Sequence, residues 1–330
     1  MRRVAVPLEL SPQEARPREG RPLRLSGPTM AVGWSLQGRA PAGLGDDAVA
    51  GAVQQVCDTV VAQMSNWEPE SDLSRFNRAA AGSWVDIPRN LATVLGQALA
   101  LAADSGGAFD PSVGRLVDLW GFGPAGAVGA APSAETLEAA ACGWRGLELD
   151  RAGGRLLQPG GLELDLSGIA KGYAVDLAAE ALTALGVHDF LMEIGGELRG
   201  AGVKGDGEPW WVELEPPPGQ TSAEPPILIA LHGLSVATSG DWRRTATFEG
   251  RHYSHTIDPA RRAPTDGGLA SVSVLHPSCM LADGLCTVLM ALGPAAEAYA
   301  REREVMAHLV ARDGGGFREV VSPSLERLLD

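Results

Sequence analysis

The segment from Leu162 to Asp176 constrains the fold most, because a glycine turn there joins two different hydrophobic periods. Over 162–166, leucines alternate with acidic residues, which is the period of a half-buried strand. From Ile169 onward the apolar residues take helical spacing, and Gly186 is placed to end the helix. The sequence therefore predicts a strand over 162–166, a glycine turn and then a helix.

The lysine at this turn, Lys171, indicates an anion site. The first N–H groups of a helix have no partners within the helix and carry a partial positive charge, to which Lys171 adds a full charge. Taken alone, the segment fits equally well a surface turn with a solvated lysine.

The composition of the chain limits its class and its partners. The 330 residues are 45% hydrophobic and 21% charged, which is enough for one large core or two subdomains. The formal net charge of -14 repels a nucleic-acid backbone. No run approaches the roughly 20 apolar residues of a membrane span. We therefore expect no nucleic-acid partner and no membrane span.

The N-terminus differs from the rest of the chain. Residues 11–22 are rich in proline, glutamate and arginine, so we expect 1–22 to be a flexible tail and 23–330 to be a single domain. The absence of an apolar stretch of signal-peptide length favours a cytoplasmic location. The four cysteines lack the spacing of a zinc site or a disulfide framework, and we expect Cys57 and Cys286 to be buried thiols.

The hydrophobic pattern predicts an α+β fold rather than a repeated βαβ unit, because helices are mixed with hairpin-like strands. The predicted helices, besides the one after the turn, cover 46–64, 89–104, 134–142 and 281–292. The predicted strands that follow the turn lie near 190–194, 209–215, 227–231, 270–275, 305–310 and 317–321.

Several segments of the chain resemble, in order, the signatures of the FAD:protein FMN transferases, the ApbE-like family. The segments are Ser-Asn-Trp-Glu-Pro-Glu-Ser-Asp-Leu-Ser-Arg-Phe-Asn at 65–77, Gly-Ala-Phe-Asp-Pro-Ser-Val-Gly-Arg-Leu-Val-Asp-Leu-Trp-Gly-Phe-Gly at 107–123, Gly-Ile-Ala-Lys-Gly-Tyr at 168–173, Glu-Ile-Gly-Gly-Glu-Leu at 193–198, Ala-Thr-Ser-Gly-Asp-Trp-Arg at 237–243, Tyr-Ser-His-Thr-Ile-Asp-Pro at 253–259 and Met-Leu-Ala-Asp-Gly-Leu-Cys-Thr at 280–287. The resemblance runs from about residue 30 to about residue 293.

This resemblance implies a fold and an activity. The fold would be ApbE-like, with mixed, largely antiparallel sheets, packed helices and two intimately joined subdomains. The activity would be Mg²⁺-dependent transfer of the FMN moiety of FAD to a Ser or Thr hydroxyl of an acceptor flavoprotein, with release of AMP. The protein would be a monomer or a homodimer.

The resemblance also assigns a metal site and a proton-transfer group. Asp283 and Thr287, four residues apart on one helical face, would bind Mg²⁺ together with the main-chain carbonyl of Ala170. His255, whose ordinary pKa is near 6.5, would contact the transferring phosphate or help deprotonate the acceptor. Asp283 could share the role of base, and the sequence does not choose between the two catalytic candidates.

The flavin nucleotide would contact residues from several of these segments. Trp67 would stack on the isoalloxazine ring, and the glycine pair after the predicted strand would allow close backbone approach. Capping of its own turn is an equal alternative for Asp110. The residues implied to bind the cofactor are Met30, Trp67, Asp110, Lys171, Gly195, Gly196, Glu197, Ser239, His255 and Asp258.

The chain departs from the family pattern near its start, which leaves two other functions open. Ala31 and Val32 replace a Gly-Thr pair, and tryptophans replace tyrosines at 67 and 242. These changes would fit an FAD-binding protein without transfer activity, or an FAD pyrophosphatase that yields FMN and AMP. The retained Asp283 and Thr287 favour transfer, because binding alone needs no cation that bridges a pyrophosphate.

Overall fold

The computed structural model describes residues 3–7, 16–220, 225–248 and 250–329. The helices are α1 Asp46–Met64, α2 Asp72–Asn77, α3 Arg89–Asp104, α4 Gly114–Leu119, α5 Ala134–Ala139, α6 Ala170–Ala184, α7 Cys279–Leu292, α8 Ala296–Glu302 and α9 Pro323–Glu326. The strands are β1 Arg3–Ala5, β2 Arg21–Thr29, β3 Val32–Ala40, β4 Trp84–Asp86, β5 Glu148–Asp150, β6 Arg155–Leu157, β7 Asp189–Ile194, β8 Glu197–Ala201, β9 Trp210–Glu213, β10 Ile227–Leu231, β11 Leu234–Gly240, β12 Thr245–Phe248, β13 Arg251–Ser254, β14 Ile257–Asp258, β15 Ala263–Pro264, β16 Leu269–His276, β17 Met306–Asp313 and β18 Gly316–Val321.

An eight-stranded sheet forms the centre of the protein, in the order β18-β17-β16-β11-β8-β7-β3-β2. Every neighbouring pair in this sheet is antiparallel. The helices α1, α6 and α7 pack against the sheet and against one another. Their apolar faces meet the sheet in cores that include Val53, Leu182 and Phe190, each at most 1% exposed. The predicted α+β fold with largely antiparallel sheets is therefore confirmed.

Smaller sheets surround the central one. The strands β1, β10 and β9 form a three-stranded sheet in which β1 is parallel to β10. A second three-stranded sheet contains β4, β6 and β5. The pairs β12–β13 and β14–β15 are two-stranded ribbons, and the residue that follows β13 is His255.

Several predicted elements agree closely with the structure. Helices predicted over 46–64 and 89–104 have those bounds, and the helix that follows the glycine turn ends before Gly186, whose φ is 81°. The helix predicted over 134–142 ends earlier, at Ala139. Strands predicted near 190–194, 227–231, 270–275, 305–310 and 317–321 correspond to β7, β10, β16, β17 and β18.

The predicted strand over 162–166 is wrong, although its leucines are buried as expected. The backbone there makes a single isolated bridge, between Glu163 and Val113. Asn77 occupies the place of a neighbouring strand, since its side chain accepts from the N–H of Leu164 at 2.7 Å and donates to the Leu164 carbonyl at 3.1 Å. Side-chain bonding of this kind replaces a strand ladder.

The predicted flexible tail is wrong for its first part. Arg3–Ala5 forms β1, and the Arg3 guanidinium contacts Glu319 at 2.7 Å and the Pro225 carbonyl at 3.0 Å. The apolar Ala5 is 1% exposed, so burial and an ion pair hold this segment in place. Residues 8–15 of the predicted tail lie outside the described residues, and β2 already begins at Arg21.

One helical stretch among the described residues, Cys279–Glu302, is apolar and long enough by itself to cross a membrane. This stretch was not identified from the sequence. Its most apolar window is 56% buried inside the protein. The stretch is interrupted at Gly293, whose φ is 53°, and its first part, α7, packs against β11 and β16. These contacts are those of a core helix.

Candidate active site

The first turn of α6 lies against α7, and this contact brings the predicted metal residues together. The N–H of Gly172 donates to Oδ2 of Asp283 at 2.9 Å, and the hydroxyl of Thr287 donates to the Gly168 carbonyl at 3.2 Å. Ala170 lies between these two contacts, as the first residue of α6. A Cβ at position 172 would be 2.8 Å from the Cβ of Asp283, so only glycine permits this approach.

Lys171 connects α6 with the start of β8. Its ammonium group forms an ion pair with Glu197, which is 2% exposed, and the second carboxylate oxygen of Glu197 has no partner among the described residues. Burial raises the pKa of Glu197 to about 7, and Lys171 opposes that rise. Burial also raises the pKa of Asp283. Two buried carboxyl groups share one lysine, so the cluster is short of positive charge.

The charge on Lys171 is retained in spite of this burial. Burial by itself lowers the pKa of a lysine, but the carboxylates of Glu197 and Asp283 outweigh that effect and raise the pKa of Lys171. The lysine is therefore a fixed positive charge at the first turn of α6, although the N–H groups of Ala170 and Gly172 there already donate to the Leu166 carbonyl and to Asp283. This arrangement suits an anionic ligand.

The turn between β7 and β8 brings the predicted glycine pair to the same place. Gly195 and Gly196 have φ values of 58° and 99°, which side chains rarely adopt. A Cβ at position 195 would lie 2.9 Å from Val32 and 3.6 Å from the Lys171 side chain, so the β2–β3 turn contacts the cluster. Met30 and Ala31 form this turn with φ values of 50° and 57°.

His255 directly follows β13, and its imidazole is close enough to Lys171 for the charge of that lysine to affect its pKa. Its Nδ1 lies 3.3 Å from the carbonyl oxygen of Arg244, and that carbonyl can only accept, so Nδ1 carries the proton and Nε2 carries the lone pair. Burial, together with the nearby positive charges of Arg244, Lys171 and Arg243, lowers the pKa of His255 to about 4. The imidazole is therefore neutral near pH 7 and suited to accepting a proton.

Trp67 lies on the loop after α1 with 53% of its surface exposed. The Arg244 guanidinium is 5.6 Å from the centre of its ring, and the same guanidinium donates to the Phe122 carbonyl at 2.7 Å. Hydroxyls of Ser71 and Ser74 hold the loop by donating to the Ser65 carbonyl. A ring so exposed on an anchored loop can stack on a planar ligand.

Three predicted cofactor residues are not joined to the cluster by any described hydrogen bond. The carboxylate of Asp110 accepts from Ser112 and from the N–H of Trp144, in agreement with the capping alternative. Asp258 accepts the N–H groups of the turn that follows it. Ser239 is half-buried on β11, opposite Val272.

The structure adds residues that the sequence interpretation overlooked. Arg244 contacts both Trp67 and His255, and no motif marks it. Asp176 is 9% exposed within α6 and binds the start of α7. A signal for Asp176 was available, because an acidic residue inside an otherwise apolar helix pattern needs a partner.

The fold and this cluster together define an α+β protein in which one buried lysine lies among buried carboxyl groups at the contact between two helices. The profile of the ApbE family matches residues 30–310. An FAD:protein FMN transferase of Vibrio cholerae is 35% identical over 312 residues, covering 93% of this chain and 92% of the relative. The chain belongs to the ApbE family.

Solved structures agree with this assignment. The apo flavinyl transferase ApbE of Pseudomonas stutzeri superposes with a TM-score of 0.87 at 37% identity, covering 94% of this chain and 97% of that chain. The ApbE protein of Thermotoga maritima gives a TM-score of 0.82 at 25% identity, covering 93% and 99%. The predicted family and its fold are therefore confirmed.

Proposed function

We propose that this protein is an FAD:protein FMN transferase that moves the FMN moiety of FAD to a Ser or Thr hydroxyl of an acceptor protein. The observation that carries the proposal is the single cluster of Lys171, Asp283 and His255, which combines a fixed positive charge, a buried carboxyl group and a neutral imidazole. The relatives named as FAD:protein FMN transferases support it.

The residues of the cluster fit a magnesium ion. Asp283, the Thr287 hydroxyl and the Ala170 carbonyl would hold it, and all three are the oxygen ligands that a hard cation prefers. Burial raises the pKa values of Asp283 and Glu197 while Lys171 opposes both rises, so a further positive charge at this place would stabilise the two carboxylates. When bound, Mg²⁺ would neutralise charge on the pyrophosphate of FAD.

The protein side chains would divide the remaining work. The Lys171 ammonium group, at the positive end of the α6 dipole, would hold the pyrophosphate oxygens, and Trp67 would stack on the flavin ring. Nε2 of His255 would accept the proton of the acceptor hydroxyl. The hydroxyl oxygen of the acceptor would at the same time bond to the phosphorus of the FMN phosphate. The bond from that phosphorus to the bridging oxygen then breaks, and AMP leaves.

The geometry favours His255 over Asp283 as the base. Asp283 is 3% exposed and already accepts the Gly172 N–H, whereas the half-buried His255 directs an unprotonated nitrogen away from its hydrogen-bonded side. The two alternative functions, FAD binding without transfer and FAD pyrophosphatase activity, are not favoured by the named relatives.

The metal assignment is tested by Asp283→Ala, with AMP release from FAD measured by chromatography in the presence of an acceptor. We expect activity to fall by at least about 100-fold, because the variant loses a direct metal ligand. Asp189→Asn is a matched control, since Asp189 is equally buried but pairs with Arg18. Near-normal turnover of Asp283→Ala at low Mg²⁺ would overturn the assignment.

A further inference from the structure

Asp176, on α6, caps the first turn of the neighbouring helix α7. Its carboxylate accepts the N–H groups of Cys279 at 2.9 Å and Met280 at 3.0 Å, and the hydroxyl of Ser278 at 2.7 Å. Arg199 of β8 forms an ion pair with the same carboxylate. A cap supplied by another helix fixes the position of one helix relative to the other.

All four initial N–H groups of α7 are satisfied by this arrangement. The first two bind Asp176, and the next two, those of Leu281 and Ala282, bind the hydroxyl and the carbonyl of Ser278. Such groups otherwise need water or another partner. The start of α7 therefore depends on Asp176 and Ser278 together.

The same interface carries a second cap in the opposite direction. Asp283 of α7 accepts the N–H of Gly172, which lies in the first turn of α6. Each helix thus supplies an aspartate to the first turn of the other. Asp176 contacts neither Lys171 nor Thr287 through a described hydrogen bond, so it acts on Asp283 and Thr287 through the position of α7, while its ion pair with Arg199 links it to β8.

We propose that Asp176 is a positioning residue for the cation site. By fixing the start of α7 on α6, it sets the place of Asp283 and Thr287 relative to the Ala170 carbonyl. This inference rests on the proposed role of these three residues in binding Mg²⁺. Partners that orient metal ligands typically affect metal affinity by roughly 10- to 100-fold.

A role in stability alone would not change metal affinity, and a second helix cap in this chain provides the control. The buried Ser322 accepts the N–H of Leu325 at the start of α9 and the N–H of Ala307. Ser322→Ala removes a buried helix cap that is not part of the α6–α7 interface. It should lower the melting temperature without changing the cation site.

The test is a Mn²⁺ titration of the FAD-loaded protein followed by electron paramagnetic resonance. We expect the Kd for Mn²⁺ to rise by roughly 10- to 100-fold in Asp176→Asn. A smaller rise is expected in Ser278→Ala, and none in Ser322→Ala. The Mg²⁺ concentration for half-maximal activity should rise in the same order, while kcat at saturating Mg²⁺ should largely recover.

Two results would overturn the inference, and they are distinguishable. Wild-type Mn²⁺ affinity in both Asp176→Asn and Ser278→Ala, despite lower melting temperatures, would leave Asp176 with a structural role only. Failure of the wild-type protein to bind Mn²⁺ would overturn the metal assignment itself and the inference with it. If Asp176→Asn does not fold, Ser278→Ala alone decides the question. A raised Kd for Mn²⁺ in that variant would support the inference, and a wild-type Kd would overturn it.

Discussion

The carbonyl oxygen of Arg244 accepts the main-chain N–H of His255 at 3.1 Å and lies 3.3 Å from Nδ1 of the same residue. The first contact fixes the backbone of His255, and the second holds its imidazole in one orientation and one tautomer. The guanidinium of Arg244 meanwhile lies over Trp67, so one arginine links the proposed base to the proposed flavin platform.

The acid limb of the pH profile of kcat/KM should lie well below pH 6.5. Burial and the neighbouring positive charges lower the pKa of His255 to about 4, so the neutral base persists as the pH falls through 6.5. Arg244→Met removes one of these charges and should move the limb to higher pH. A wild-type midpoint at or above pH 6.5 would contradict this account of His255.

Lys171→Met should destabilise the protein by about 3 kcal/mol above pH 7 in the absence of metal, because it leaves Glu197 buried without its partner. Burial raises the pKa of Glu197 to about 7, and removal of Lys171 raises it further, so the loss should be largest above pH 7 and should shrink as the pH falls through 7 and Glu197 becomes protonated. Glu197→Gln keeps the shape without the charge and should cost less. Denaturant unfolding at several pH values measures both variants; a loss in Lys171→Met that does not depend on pH would contradict the explanation.

Ala31→Gly should stabilise the protein by about 0.5–1 kcal/mol. Ala31 has a φ of 57° in the β2–β3 turn, where a side chain is strained and glycine is not. Gly43→Ala is the reverse change at a position with a φ of 84° and open surroundings, and it should destabilise the protein by a similar amount. Thermal unfolding compares the two, and a destabilising Ala31→Gly would show that the turn is not strained.

Glu319 should contribute to stability above pH 4.5 and lose this contribution as the pH falls toward 2. The contacts with His308 and Arg3 hold its pKa at about 2 although burial acts in the other direction. For a carboxyl group with a lowered pKa, the shift corresponds to about 3 kcal/mol near neutral pH. The free-energy difference between the wild type and Glu319→Gln should therefore vanish near pH 2, and a constant difference would contradict the pairing.

The sequence predicted the helices best, because their apolar faces repeat over several turns. The bounds of α1 and α3 follow directly from this period. The leucines of 162–166 also show a clear period, but the Asn77 side chain binds both backbone groups of Leu164 and no strand forms. A partner 87 positions away in the sequence cannot be found from a local pattern.

The sequence predicted charged residues for the candidate site but not the residues that support them. The family resemblance led to Lys171, Asp283 and His255, whose side chains the structure brings to one cluster. Asp176 and Arg244 act through contacts between distant elements, so only the folded chain shows them. Asp110 shows the converse, since its motif match does not distinguish a ligand from a turn cap.

The most direct test of the central claim is the intact mass of an acceptor domain after incubation with this protein, FAD and Mg²⁺. The account predicts a gain of one FMN on the acceptor, with one AMP released, and loss of that gain when Mg²⁺ is chelated or when Asp283→Ala replaces the wild type. An unchanged acceptor mass with intact FAD and no AMP would contradict it. Free FMN with AMP, and no modified acceptor, would instead identify a pyrophosphatase.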